Sequence, residues 1–142
     1  MTTRPLLDTH IALWLDNGDD RLRPPTLELI EDCWRKGGTV LISAVTEWEI
    51  AQLVFTDRIS LDCLVEAWIK RFTDHPGIEP VPLSQDAAAR AYQLQPFEYQ
   101  DPADRLLIAT AIEQGCSLVT HDARIARFSE SHGAAFGFAA VS

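Results

Sequence analysis

Acidic residues stand at the ends of apolar runs in this chain, where side chains can meet a ligand. "PLLDTHIALW" places Asp8 directly after Leu6 and Leu7, and "CSLVTHDARI" repeats the form around Asp122. Glu49 lies just beyond the run "TVLISAV", and Asp104 follows "DPA" at the start of an apolar helical pattern. Converging carboxylates repel one another and hold their protons more tightly. A hard divalent cation relieves that repulsion. Mg²⁺ or Mn²⁺ takes oxygen ligands, keeps waters and binds phosphate oxygens. Such a centre can activate water for attack on phosphorus, and it needs only scattered Asp and Glu at element ends.

Each acid also has a plain structural reading. Thr46-x-x-Glu49 fits a capping box, Asp101 and Asp104 suit a helix N-terminus, and Asp122 can cap a helix from Ala123. Those readings leave unexplained why Asp8 and Asp122 both end apolar runs. His10 and His121 suggest a His/Asp transition-metal site, ranked below the all-oxygen one. G-x-S-x-G and phosphate-cradling Gly-rich loops are absent, which removes the common serine hydrolase and P-loop classes. "DTH" lacks the second Asp of the haloacid-dehalogenase pattern.

The elements that must position these acids alternate in type. Leu6-Leu7, "TVLISAV", "IEPVPL", "SLVTHD" and "AAFGFAAV" read as strands, with "IEPVPL" at an edge because of its prolines. Helical patterns fill the intervals: 11–15, "TLELIEDCWRK", "TEWEIAQLVF", "LDCLVEAWIKRF", "QDAAARAYQL" capped by Ser84, and "DPADRLLIATAIEQ" between Asp101 and Gly115. A short helix follows from Ala123. The alternation predicts a single α/β domain over 1–142, with a central, mainly parallel sheet and helices on both faces. Ligands of such sheets bind beyond the carboxyl ends of the strands, where all four acids would gather.

The chain has 142 residues and a formal charge of −9. That balance argues against nucleic acid binding unless the acids hold cations or a basic partner covers them. Cys33, Cys63 and Cys116 form no C-x-x-C pair and read as buried reduced thiols. No apolar run is long enough for a bilayer and the first ten residues lack a signal-peptide core, so a cytoplasmic, membrane-free protein is expected. Trp48, Leu53, Val54, Phe55, Leu61, Leu64, Trp68 and Phe72 exceed what one helix pair can bury. Trp48 is assigned to the core, and the rest are candidates for an apolar interface.

"LLDTHIALW", "ISAVTEWEIAQL", "DPADRLLIATA" and "LVTHD", in this order and spacing, resemble the PIN-domain family over nearly the whole chain. They most resemble the VapC-like toxins of type II toxin–antitoxin pairs. The resemblance implies a three-layer α/β/α domain and Mg²⁺- or Mn²⁺-dependent cleavage of RNA. Asp8 and Asp104 would be the main metal ligands, Glu49 and Asp122 would act directly or through water, and Thr120 would help orient the cluster. Glu47 and Asp101 are the neighbouring decoys, the latter being a helix cap. Ala103 departs from the family pattern, which often has an aromatic there. Arg21, Arg23 and Arg58 would contribute to the choice of RNA. A cognate antitoxin and a second copy of the chain would be the protein partners. Two other functions fit the same residues: an inactive PIN-like binding module and a small-molecule phosphohydrolase.

Overall fold

The computed structural model describes residues 4–97 and 101–142. Five short strands, β1 (Leu6–Leu7), β2 (Val40–Ser43), β3 (Ile78–Val81), β4 (Leu118–Val119) and β5 (Ala140–Val141), form one sheet in the order β3-β2-β1-β4-β5. Every neighbouring pair is parallel, with Leu6 opposite both Leu41 and Leu118. The Pro-containing β3 is an edge strand, as its sequence requires.

Side chains alternate across a strand, and here both faces are buried. Leu6, Leu41 and Leu118 point to one core with Leu107, Ile108, Ile125 and Phe128. Leu7, Val40, Ile42 and Val119 point to the other, with Ile11, Ile30, Ile50, Trp68 and Phe72. The first core is covered by α5 (Gln85–Arg90), α6 (Pro102–Gln114) and α7 (Ala123–Phe136). The second is covered by α1 (Thr9–Asn17), α2 (Pro24–Arg35), α3 (Ala44–Phe55) and α4 (Val65–Thr73). This is the expected three-layer α/β/α arrangement, with a wholly parallel sheet.

Local chemistry sets the element ends. Asp8, Ser43, Ser84, Asp101 and Asp122 each accept a backbone N–H at the N-terminus of the following helix, satisfying donors the helix leaves unpaired. Gly115 ends α6 at φ 63°, a left-handed conformation that glycine adopts without steric cost.

Several expected boundaries shift. The strand read through Val45 stops at Ser43, because Ser43 accepts from Val45 N and starts α3 early. Thr46 therefore lies inside α3, and the capping box with Glu49 does not form. The pattern from Leu61 becomes helical only at Val65. The short helix from Ala123 runs 14 residues and absorbs Ala134–Phe136, leaving a two-residue final strand. Trp48 is 55% exposed rather than buried, while Trp68 and Phe72 are buried. Trp68 Nε1 donates to Asp16 Oδ2 at 2.9 Å, which lets an indole sit in the core with its polar edge satisfied. Phe55 and Leu64 are exposed. Cys33 is buried and Cys63 and Cys116 are half-buried; none of the three forms a disulfide. Among the described residues no helix is long and apolar enough to cross a membrane.

Candidate functional site: a carboxylate cleft

The chain runs from β1 outward to β2 and β3, then returns to place β4 on the other side of β1. The crevice of such a sheet lies at this switch point, beyond the carboxyl ends of β1 and β4. A cleft of about 350 Å³ opens there, lined by Asp8, Glu49, Asp101, Asp104 and Asp122, with His10, Trp14, His121 and Arg124 around them. Helices α1, α3, α6 and α7 begin at this edge, so their N-terminal dipoles favour negative charge in the cleft. Glu47 is not among its lining residues.

Asp8 leaves β1 and caps α1. Its Oδ1 accepts from Thr9 N at 2.8 Å, and its Oδ2 accepts from Thr120 Oγ1 at 2.7 Å. Burial raises its proton affinity, partly offset by the Thr120 and Thr9 hydrogen bonds. Glu49 points back from α3 and accepts from the Thr9 hydroxyl. Thr9 is fully buried and also lies 3.2 Å from Thr46 Oγ1. Burial raises Glu49 too, and the charges of Asp8 and Asp101 add to it. Thr120 and Thr9 thus tie the ends of β4 and α3 to the end of β1.

Asp104 is buried on the first turn of α6. Desolvation, then repulsion from Asp101, Asp8 and Asp122, pushes it up to about 7. Asp122 behaves oppositely and is held below the usual range by its hydrogen bonds from Arg124. Arg124 Nη2 donates to Asp122 Oδ2 at 2.7 Å and to Asp104 Oδ2 at 3.0 Å. The same carboxylates hold the guanidinium charged. Asp101 Oδ1 accepts from Ala103 N at 3.0 Å, as a helix cap does.

All four predicted acids and Thr120 therefore meet at one place, with Asp101 beside them. Arg21 and Arg23 stand at the rim. Arg21 lies over the Trp14 ring, and Arg23 Nε donates to His121 Nε2 at 3.4 Å. Arg58 lies away from the cleft. His10 and His121 flank Trp14 with ring centroids 5.8 and 5.6 Å away, and Thr26 Oγ1 is 2.9 Å from His121 Nε2. Both rings pack against Trp14 rather than joining a ligand cluster. Sequence reasoning missed Arg124, Thr9 and Thr46. "HDAR" held the signal for Arg124, since a residue two beyond an N-cap Asp can reach back to it.

Among the described residues no group of three or more His, Cys, Asp or Glu side chains is arranged to hold a metal ion. Arg124 takes part of that space as the resident positive charge on Asp104 and Asp122. The donor set nevertheless suits a hard cation: the carboxylates supply oxygen alone, the cleft has no thiol, and Asp104 ionises fully at neutral pH only beside further positive charge.

The PIN domain family matches residues 6–131. The chain is 35% identical over 123 residues to Ribonuclease VapC22 of Mycobacterium tuberculosis, covering 87% of this chain and 90% of that protein. Its fold is shared with the structure of VapBC2 from Rickettsia felis bound to a promoter DNA fragment, at TM-score 0.63 and 18% identity with 96% of each chain covered. A toxin–antitoxin complex from Klebsiella pneumoniae matches at TM-score 0.62 and 19% identity, over 97% of this chain and 96% of that one. The chain belongs to the PIN-domain family.

Proposed function

We propose that this protein is an endoribonuclease dependent on Mg²⁺ or Mn²⁺, acting as the toxin of a toxin–antitoxin pair in the cytoplasm. The observation that carries the reading is the desolvated carboxylate cleft at the sheet's switch point. The family match and the similarity to a named ribonuclease support it.

Asp8 and Asp104 would hold the cation, with Glu49 and Asp122 bound directly or through water. A bound cation would lower the pKa of water and neutralise charge on the phosphate. The chain's own groups fix the rest. Thr120 and Thr9 N orient Asp8, Thr9 orients Glu49, and Arg124 supplies a guanidinium beside Asp104 and Asp122. Hydrolysis by water with cleavage of the P–O3′ bond leaves 5′-phosphate and 3′-hydroxyl ends.

An antitoxin is the fitting partner for the −9 charge: its basic residues would enter the cleft and displace cation or substrate. Exposed Trp48, Phe55 and Leu64 suit its apolar contacts and self-association of the toxin. Arg124 favours a second reading, a PIN-like module without turnover, because it already neutralises two of the acids.

End-group mapping of RNA treated with the purified protein tests the reading. Metal-dependent cleavage with 5′-phosphate products is expected, abolished by chelator and by Asp8→Asn. Cyclic phosphate ends, or full activity in chelator, would overturn it. No cleavage of RNA or of a small phosphoester, with antitoxin still bound, would establish the inactive module.

A further inference from the structure

An endonuclease cuts an internal bond, so nucleotides beside the scissile phosphate must lie along the wall of the cleft. The α1 side of that wall is aromatic. Trp14 is half-buried, packs against the core that holds Ile11 and Ile30, and lines the cleft with His10 and His121. The two imidazoles are tilted 48° and 43° to the indole, so neither stacks flat on it. Arg21 lies over the indole, its guanidinium carbon 5.4 Å from the ring centroid. The Arg21 side chain is 69% exposed and tethered to Asp19. A planar, exposed cation therefore occupies the place of a stacked base. An exposed cation–π contact is weaker than stacking of a base on an aromatic ring, so a base can displace it.

His121 is held in one orientation. Arg23 Nε donates to its Nε2 at 3.4 Å, and the hydroxyl of buried Thr26 lies 2.9 Å from the same nitrogen. A ring nitrogen that accepts from a guanidinium carries no proton, so in the neutral ring the proton sits on Nδ1. The ring thereby presents an N–H donor on the edge turned away from Thr26. His121 stands between Thr120, which donates to Asp8, and Asp122, so this donor is one residue from two groups of the carboxylate site. Arg23 is exposed and spends one N–H of its guanidinium fork on the ring. His121 and Arg23 also line a second cavity of about 400 Å³ that reaches Ala140 and Val141 of β5. His121 is a wall of both spaces, so a strand leaving the cleft over Trp14 has room beyond it.

We infer that this rim is the subsite for the RNA nucleotide next to the scissile phosphate: its base stacks on Trp14 in place of Arg21, and its outer phosphate meets His121 Nδ1–H and Arg23. The inference rests on the ribonuclease reading and deepens it, by assigning the groups that hold a single strand in register with the carboxylates. Stacking accepts any base, so the subsite positions the strand and reads little sequence.

The test measures anisotropy of a fluorescent single-stranded RNA with the Asp8→Asn protein, and cleavage with Asp8 intact, each with substitutions at the rim. Trp14→Leu keeps an apolar side chain and deletes the π-face. It should weaken binding about 5–100-fold and raise KM more than it lowers kcat, and Trp14→Phe should restore most of the loss. An abasic oligonucleotide of the same length should bind Trp14→Leu and its parent alike. Asparagine places an amide nitrogen where His121 holds Nδ1, and glutamine where it holds Nε2, so His121→Asn should keep more affinity than His121→Gln. Arg23→Ala should lower the salt slope by about 0.7, or about fourfold in affinity at 0.15 M salt. Arg90→Ala, on exposed α5, is the control expected to change nothing. If leucine at position 14 prevents folding, the His121 and Arg23 variants decide. If cleavage proceeds and the Trp14, His121 and Arg23 variants leave affinity and KM unchanged, the subsite is wrong and the ribonuclease reading stands. If the abasic strand suffers the same loss, Trp14 serves the fold and the stacking is wrong. If nothing is cleaved but Trp14→Leu still lowers affinity for the base-bearing RNA alone, the rim stands as an RNA site and the ribonuclease reading fails. An RNA neither bound nor cleaved overturns both.

Discussion

The two halves of the cleft are held in different ways. Asp8 and Glu49 are fixed by neutral donors: the hydroxyls of Thr120 and Thr9 and one backbone N–H. Asp104 and Asp122 are fixed by a guanidinium. Neutral donors orient a carboxylate and leave its charge in place. A guanidinium cancels charge and can be exchanged for another cation. The first half is thus a permanent mould, and the second is a lock whose key is a positive charge. Breaking one side at a time separates these roles.

The largest effect should come from Asp104→Asn. If Asp104 holds the proposed cation, its carboxylate supplies several kcal/mol of transition-state stabilisation, so turnover should fall on the order of a thousandfold. Without cation the variant should melt no lower than the parent, since it removes a repelled, buried charge. Undiminished metal-dependent turnover in this variant would remove Asp104 from the site.

Thr9→Val probes the neutral half. The substitution keeps shape and deletes the hydroxyl that donates to Glu49. A positioning role for Thr9 predicts a loss of about 10–100-fold in activity, with roughly 1–3 kcal/mol of stability lost because Glu49 and Thr46 lose a partner. Thr9→Ser should rescue most of both. If valine lowers stability and leaves kcat intact, Thr9 serves the fold alone.

Arg124→Gln probes the exchangeable half. Its side chain is 38% exposed, so water screens the pair and the direct loss in the metal-free protein is roughly 1 kcal/mol. Deleting the internal cation should make added Mg²⁺ bind more tightly, and Mg²⁺ should raise the melting temperature further than it does in the parent. An equal or smaller Mg²⁺-induced shift would mean that Arg124 and the cation do not compete.

These residues also show what a sequence can carry. Asp8, Asp104 and Asp122 were legible because each stands at the end or start of an element, and Glu49 because it lies in the first turns of the helix after β2; a parallel sheet sends all such ends to one edge. Asp101 was legible as a cap because Pro102 follows it. Thr9, Thr46 and Arg124 were not, since their partners lie across the sheet or on another helix: Thr9 and Glu49 are 40 positions apart. Trp48 was misassigned because aromaticity suggests a core, whereas α3 buries the face carrying Ile50 and turns Trp48 and Phe55, seven apart, toward solvent.

The two acids of the exchangeable half should also differ from each other in their response to pH. Asp104 is pushed up to about 7 in the folded protein from an ordinary 3.8. Between those values the folded state binds more protons than the unfolded one, so stability falls as pH rises. The metal-free protein should therefore lose stability from about pH 4 toward 7, and Asp104→Asn should flatten that slope. Asp122, held low by Arg124, acts in the opposite sense and only below its ordinary value. A slope unchanged by Asp104→Asn would place the titration elsewhere.

The smallest effect belongs to Asp101, which lines the same cleft and is assigned to the helix alone. Its Oδ1 accepts from Ala103 N and caps α6. Asn caps as well as Asp, whereas Ala does not, so Asp101→Ala should cost about 1 kcal/mol and Asp101→Asn only a few tenths. Asparagine also removes one charge that raises Asp104 and Glu49, which offsets part of even that small cost. Turnover of Asp101→Asn should stay within a few-fold of the parent, because the cap survives and the four acids of the proposed site are untouched. Measured beside Asp104→Asn in one assay, the pair decides which carboxylate of "DPAD" does chemistry. If Asp101→Asn is the inactive protein and Asp104→Asn the active one, the cap and the ligand have been exchanged.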